Sequence, residues 1–201
     1  MSHPEVVHVY FDYLCPFAWR GAELCEQVAG ALNINFEWHH FSLFQSNYQG
    51  TDGWQLWNDK LEPYNDKGCK GLLPFLASCA ARKQGRGAFD RYRLTLMRAR
   101  YCGHRPLTCK TVFEVAEEAG LGLAKFEHDL TDPECRTALA HEHYRAKAQD
   151  VFGTPTYRFE TGHIAYLRIK ELPKSQEEAI SLFKDYRRML ECYPYLETLK
   201  R

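Results

Sequence analysis

Residues 6 to 21 run Val6-Val7-His8-Val9-Tyr10-Phe11-Asp12-Tyr13-Leu14-Cys15-Pro16-Phe17-Ala18-Trp19-Arg20-Gly21 and leave the chain few folds to choose from. The β-branched and aromatic start reads as a buried strand, and it breaks at Asp12 and Tyr13. Pro16 then occupies the position where proline is best tolerated in a helix, because its missing N–H would be one of the unpaired first-turn donors. Cys15 therefore stands at a helix N-terminus. Free backbone N–H groups and the positive end of the helix dipole favour a thiolate there, so the expectation is a lowered pKa and the most reactive thiol of the chain.

Downstream, Trp19, Ala22, Cys25, Val28, Ala29 and Leu32 recur at helical spacing, with a stop near Leu32-Asn33. Ile34 to Leu43 is rich in Phe, Trp and Ile and reads as a strand buried on both faces of a parallel sheet, closing a β-α-β unit whose crossover should be right-handed. Gln45 to Gly53 is an exit loop. Gly71 to Gln84, Gly87 to Tyr101, Thr108 to Gly120 and about Ala124 to Ala148 carry apolar residues at helical spacing, with stops or caps at Gly103, Thr108 and Asp129 to Asp132. Thr156 to Glu160 and Ile164 to Ile169, joined by Thr161-Gly162, read as a hairpin. Ser175 and Glu178 have the capping-box spacing, and Ala179, Leu182, Phe183, Tyr186, Met189 and Leu190 form the buried stripe of a last helix ending at Pro194.

Two separated segments carry a family resemblance. Phe11-Asp12-Tyr13-Leu14-Cys15-Pro16-Phe17-Ala18 and Val151-Phe152-Gly153-Thr154-Pro155-Thr156-Tyr157 resemble the active-site turn and the cis-proline turn of the DsbA-like branch of the thioredoxin superfamily. That branch includes FrnE-type proteins, 2-hydroxychromene-2-carboxylate isomerases and kappa-class glutathione transferases. The resemblance implies an α/β thioredoxin-like fold with a large all-helical insertion, residues 1–48 and 149–201 forming the thioredoxin-like domain and 49–148 the insertion. It implies catalytic roles for Cys15, Pro16 and Pro155. Substrate contacts would come from Tyr13, Phe17, Ala18 and Thr154, the last offering its backbone for strand-like pairing with a thiol substrate. One departure stands out: redox members carry Cys-x-x-Cys, and here the fourth position is Ala18. Isomerase and kappa-transferase members place serine where this chain has Cys15. Cys25 lies ten residues on, about 15 Å along a continuous helix, beyond the roughly 7 Å limit between Cα atoms of a disulfide.

Charge and cysteine usage bound the partners. Lysine plus arginine equals aspartate plus glutamate at 26 each, so no net field recommends nucleic acid or an anionic membrane. Met1 to Glu5 leads straight into a strand without the features of a secretory signal, and a cytoplasmic setting follows as the expectation. The eight cysteines, at 15, 25, 69, 79, 102, 109, 135 and 192, are then expected reduced, one functional and seven as core or surface thiols. No metal site is expected: His39 and His40 are adjacent and face opposite ways in a strand, His141 and His143 are two apart on a helix, and His104 has only Cys102 and Cys109 nearby in sequence.

Three activities remain open at this level. Cys15 attacks disulfides as the single nucleophile of a thiol-disulfide oxidoreductase, resolved by an external thiol; or the protein is a glutathione-dependent isomerase or transferase; or the fold serves binding without catalysis. The first two imply a small-molecule thiol or disulfide as partner. No tightly bound cofactor is expected, glutathione or another low-molecular-weight thiol being the candidate.

Overall fold

The computed structural model describes residues 3–61 and 70–196. Strand β1 (Glu5–Phe11) leads through the cysteine turn into helix α1 (Pro16–Leu32), and β2 (Ile34–His40) returns parallel to β1, with His8 opposite Glu37 and Tyr10 opposite His39. Asn33, in the left-handed conformation, ends α1 where the sequence places its stop. Two short strands, β3 (Thr156–Arg158) and β4 (Ile164–Tyr166), complete a four-stranded sheet in the order β2-β1-β3-β4, with β3 antiparallel to both neighbours.

Between β2 and β3 the described residues contain helices and no strand: α2 (Leu43–Ser46), a 3-10 turn at Leu56–Asn58, α3 (Leu72–Arg82), α4 (Arg86–Tyr101), α5 (Cys109–Glu118), α6 (Leu123–Leu130) and α7 (Pro133–Lys147). The stretch read as Ala124 to Ala148 is two helices. Asp132 accepts from the Glu134 N–H and Pro133 opens α7, so the chain cannot continue one helical ladder through this point. These helices share one apolar core with the sheet: Phe11, Tyr13 and Trp38 lie in the same cluster as Phe75, Tyr92 and Phe126. Helix α8 (Gln176–Cys192) is capped by Ser175, which accepts from Glu178 N–H at 3.2 Å, while Glu178 accepts from Lys174 N–H at 2.8 Å. It buries Ala179, Phe183 and Tyr186.

Two expectations require correction. Strand β2 stops at His40 and is not buried on both faces: Ile34, Phe36, Trp38 and His40 are buried while Asn35, Glu37 and His39 are partly exposed. It is the last strand of the sheet, and Phe36 packs against Phe183 of α8 on the covered face only. The hairpin strands are three residues each. Phe159 and His163 add one more backbone bond before Gly162, at φ +87, turns the chain. His39 and His40 do face opposite ways, as strand geometry requires.

Candidate active site

Cys15 is the N-cap of α1, in an extended conformation, and its carbonyl accepts from the Ala18 N–H at 3.1 Å. Asp12, fully buried, fixes the turn that presents it: one carboxylate oxygen accepts from Leu14 N–H at 2.8 Å and the other from Leu43 N–H at 2.7 Å. Burial outweighs those two hydrogen bonds and pushes the Asp12 carboxyl up to about 6. From α4, Tyr101 donates to the Tyr13 carbonyl at 2.9 Å and stacks on Trp19 at 5.5 Å, which ties the helical segment to the same turn.

On the other side of the thiol stands the segment that precedes β3. The Thr154–Pro155 peptide bond is cis, and Cys15 Sγ donates to the Thr154 carbonyl at 3.2 Å. The Thr154 hydroxyl is buried, and while Cys15 is a protonated thiol it has no hydrogen-bond partner. Pro155 packs so closely on α1 that only glycine fits at position 21, where a Cβ would lie 2.6 Å from the proline ring.

The thiol itself departs from the sequence reading. Cys15 is buried, and that burial pushes its pKa above the ordinary cysteine value. The Thr154 side chain and the Ala18 and Phe17 N–H groups pull it back in part, and the Asp12 carboxylate pushes it up again. The helix N-terminal donors are present as anticipated; desolvation is the larger effect. A lowered pKa is therefore not found. Cys25 is further out of play: it is buried on α1 with its thiol pushed up by desolvation.

Of the remaining site residues, Pro16 opens α1, the Thr154 carbonyl faces the thiol and Pro155 packs against Gly21. Phe17 is partly exposed beneath two guanidinium groups, Arg168 at 4.2 Å and Arg20 at 5.2 Å from its ring centre. Tyr13 and Ala18 are buried, as is Thr154. The Tyr13 ring packs on Phe11 and Phe75, and its hydroxyl is spent on Ser78 Oγ at 2.7 Å. Beside the cysteine turn an open groove of about 460 Å³ is lined by Asp12, Leu14, Leu43, Phe44, Asn47, Tyr48 and Gln49. Sequence reasoning missed Arg168 and Arg20; no local pattern signals that the segment after β4 brings Arg168 onto Phe17.

Residues 6–67 match the family model described as the DSBA-like thioredoxin domain. The fold is DsbA-like. Solved structures overlay most of the chain: 2-hydroxychromene-2-carboxylate isomerase at TM-score 0.64 and 15% identity, covering 96% of this chain and 100% of that one. The cytosolic disulfide reductase DsbM of Pseudomonas aeruginosa overlays at 0.60 and 17%, covering 90% and 99%. MdbA, a thiol-disulfide oxidoreductase of Actinomyces oris, overlays at 0.62 and 17%, covering 89% and 81%. At these identities the likeness concerns the DsbA-like fold alone. In sequence the chain is 24% identical over 151 residues to an uncharacterized protein of Mycobacterium tuberculosis, Rv2286c, and the match covers 75% of this chain and 62% of that relative's length.

The histidine and cysteine groupings weighed from sequence do not assemble. Among the described residues, His104 with Cys102 and Cys109 forms no metal-sized cluster, and His143 is stacked on Phe41 at 4.8 Å with its pKa pushed down to about 4 by burial. Cys69 lies outside the described residues. Among those residues, no helix is long and apolar enough to cross a membrane.

Proposed function

We propose that this protein is a thiol-disulfide exchange enzyme that works through Cys15 alone and runs in the reducing direction, in a compartment that supplies a low-molecular-weight thiol such as glutathione. The observation that carries the reading is the Cys15 thiol set against the Thr154 carbonyl, with the unpartnered Thr154 hydroxyl beside it and Ala18 where a second thiol would stand. As thiolate, Cys15 attacks one sulfur of R–S–S–R′; the Cys15–S–S–R bond forms, the R–S–S–R′ bond breaks, and R′S⁻ leaves and takes up a proton. A second thiol, R″SH, loses its proton and attacks the R sulfur, giving R–S–S–R″ and returning Cys15 as thiolate. Electrons thus come from the external thiol and end on R′SH. Strong dithiol oxidants owe their potential to a stabilised thiolate in the reduced state. Desolvation works against that here, so the mixed disulfide is favoured over an oxidant's role.

The two guanidinium groups around Phe17 suit a substrate carrying carboxylates, as glutathione does. Turnover of 2-hydroxyethyl disulfide with glutathione is the test. Activity lost in Cys15→Ser and kept in the triple variant C102S/C109S/C192S is expected, with the glutathione adduct mapped to the Cys15 peptide. Equal activity in Cys15→Ser overturns the proposal. The groove beside Asp12 and Leu14 favours a second reading, glutathione-dependent isomerisation or transfer, in which the thiol holds or activates a small substrate without disulfide chemistry.

A further inference from the structure

Away from the cysteine turn, the partly exposed face of the sheet edge gathers three donor groups. In the parallel register His8 of β1 lies opposite Glu37 of β2, and His39 follows two residues later on the same face. His8 Nδ1 and His39 Nε2 are 2.9 Å apart, His8 Nδ1 and Glu37 Oε2 are 3.5 Å apart, and all three donor atoms fall within 4.8 Å of one another. Four ligands held at about 2.0–2.1 Å around a tetrahedral ion sit about 3.3–3.4 Å from each other. The two closest spacings bracket that value. From these distances we propose that His8 Nδ1, His39 Nε2 and a Glu37 oxygen form a binding site for a divalent cation of the zinc class, with the fourth position open to water.

The surroundings are built for that role. The other ring nitrogen of His39, Nδ1, lies 3.8 Å from Glu142 Oε1, and Glu142 is held in place by a 2.7 Å contact from buried His40 Nδ1 to its Oε2 and by an ion pair with Arg82. A carboxylate behind a ligating imidazole orients the ring and leaves the opposite nitrogen for the metal. Arg86 approaches the other Glu37 oxygen, at 3.8 Å, so Oε2 remains for the ion. Two neighbouring strands carry the set, so its geometry is fixed by backbone hydrogen bonding and not by a loop. Without a cation, two ring nitrogens this close can share only one proton between them; a metal replaces that proton and ties the edge strand to β1.

Zn²⁺ is the probe. The full chain, with its exposed thiols alkylated by iodoacetamide and its metals stripped by chelator, should bind one equivalent by calorimetry, and Co²⁺ should give the visible absorption of a four-coordinate site. His8→Ala and His39→Ala should each weaken binding at least tenfold while far-ultraviolet circular dichroism stays unchanged, and Glu37→Gln about tenfold. Chemical-shift perturbation by Zn²⁺ should centre on the His8 and His39 imidazoles. Binding that survives both histidine variants at full strength, or the absence of any equivalent bound by the alkylated protein, overturns the proposal.

Discussion

The thiol of Cys15 and the carbonyl of Thr154 face each other at 3.2 Å, with the sulfur as donor, so the resting state holds a protonated thiol. Thiol and carbonyl each have to be released before chemistry begins. Burial, which holds the thiol above its ordinary pKa, sets the reactivity. At pH 7 iodoacetamide is expected to label the exposed Cys102, Cys109 and Cys192 ahead of Cys15, with Cys15 labelling rising as pH increases past 9. Peptide mapping over a time course measures the order, and Cys15 labelled first would refute it.

Thr154→Val removes the buried hydroxyl that stabilises the thiolate while preserving side-chain volume and branching. A hydrogen bond to a charged group is worth about 1.5–3 kcal/mol, so exchange at Cys15 should slow by about ten- to a hundredfold at neutral pH and recover at high pH. The pH–rate profile separates this from misfolding, which would depress the rate at every pH.

Asp12 gives stability a pH dependence of defined sign. Its folded pKa, about 6, lies above the ordinary value of 3.8, so between these values the native state binds more protons than the unfolded one. Stability from this group is therefore greatest below about pH 4, falls as pH rises to about 6, and is flat above. At 1.36 kcal/mol per unit the loss is on the order of 2–3 kcal/mol. Urea unfolding of the protein and of Asp12→Asn from pH 4 to 7 should show this downward component in the first and not in the second; parallel profiles would contradict it.

Gly21 and Gly30 sit on the same helix with opposite surroundings. A Cβ at position 21 would meet Pro155 at 2.6 Å and the Tyr157 hydroxyl at 2.7 Å, whereas one at position 30 meets nothing within 4 Å. Gly21→Ala should destabilise by about 1–3 kcal/mol through overpacking, despite the helix-propensity gain. Gly30→Ala should stabilise by about 0.5–1 kcal/mol. Thermal unfolding of both variants decides the point.

Arg168 tests the charge of the substrate. Arg168→Ala should slow exchange with oxidised glutathione by about two- to fivefold and leave a neutral disulfide almost unaffected, since only the former carries carboxylates for the guanidinium. Added salt should erase the difference. Equal slowing of both substrates would assign Arg168 to packing on Phe17.

Local signals in the chain fix what lies within a few residues of each of them. Pro16 places a helix start after Cys15, Asn33 ends that helix, Ser175 caps the last one, and alternating or helical spacing separates sheet from helical segment, because capping and periodicity act over one or two turns of chain. Whatever depends on distant partners follows from packing. Cys15 lies where local reasoning puts it, yet its protonation follows from the Thr154 segment, 139 residues away, which closes over it and removes water. Tyr13 looks like a neighbour of the thiol in sequence and belongs to the core because α3 supplies Phe75 and Ser78. Strand β2 looks buried on both faces and is an edge. His8 and His39, 31 residues apart, become neighbours only through the parallel register. Dielectric environment and through-space pairing are properties of which elements pack together, and no local pattern encodes them.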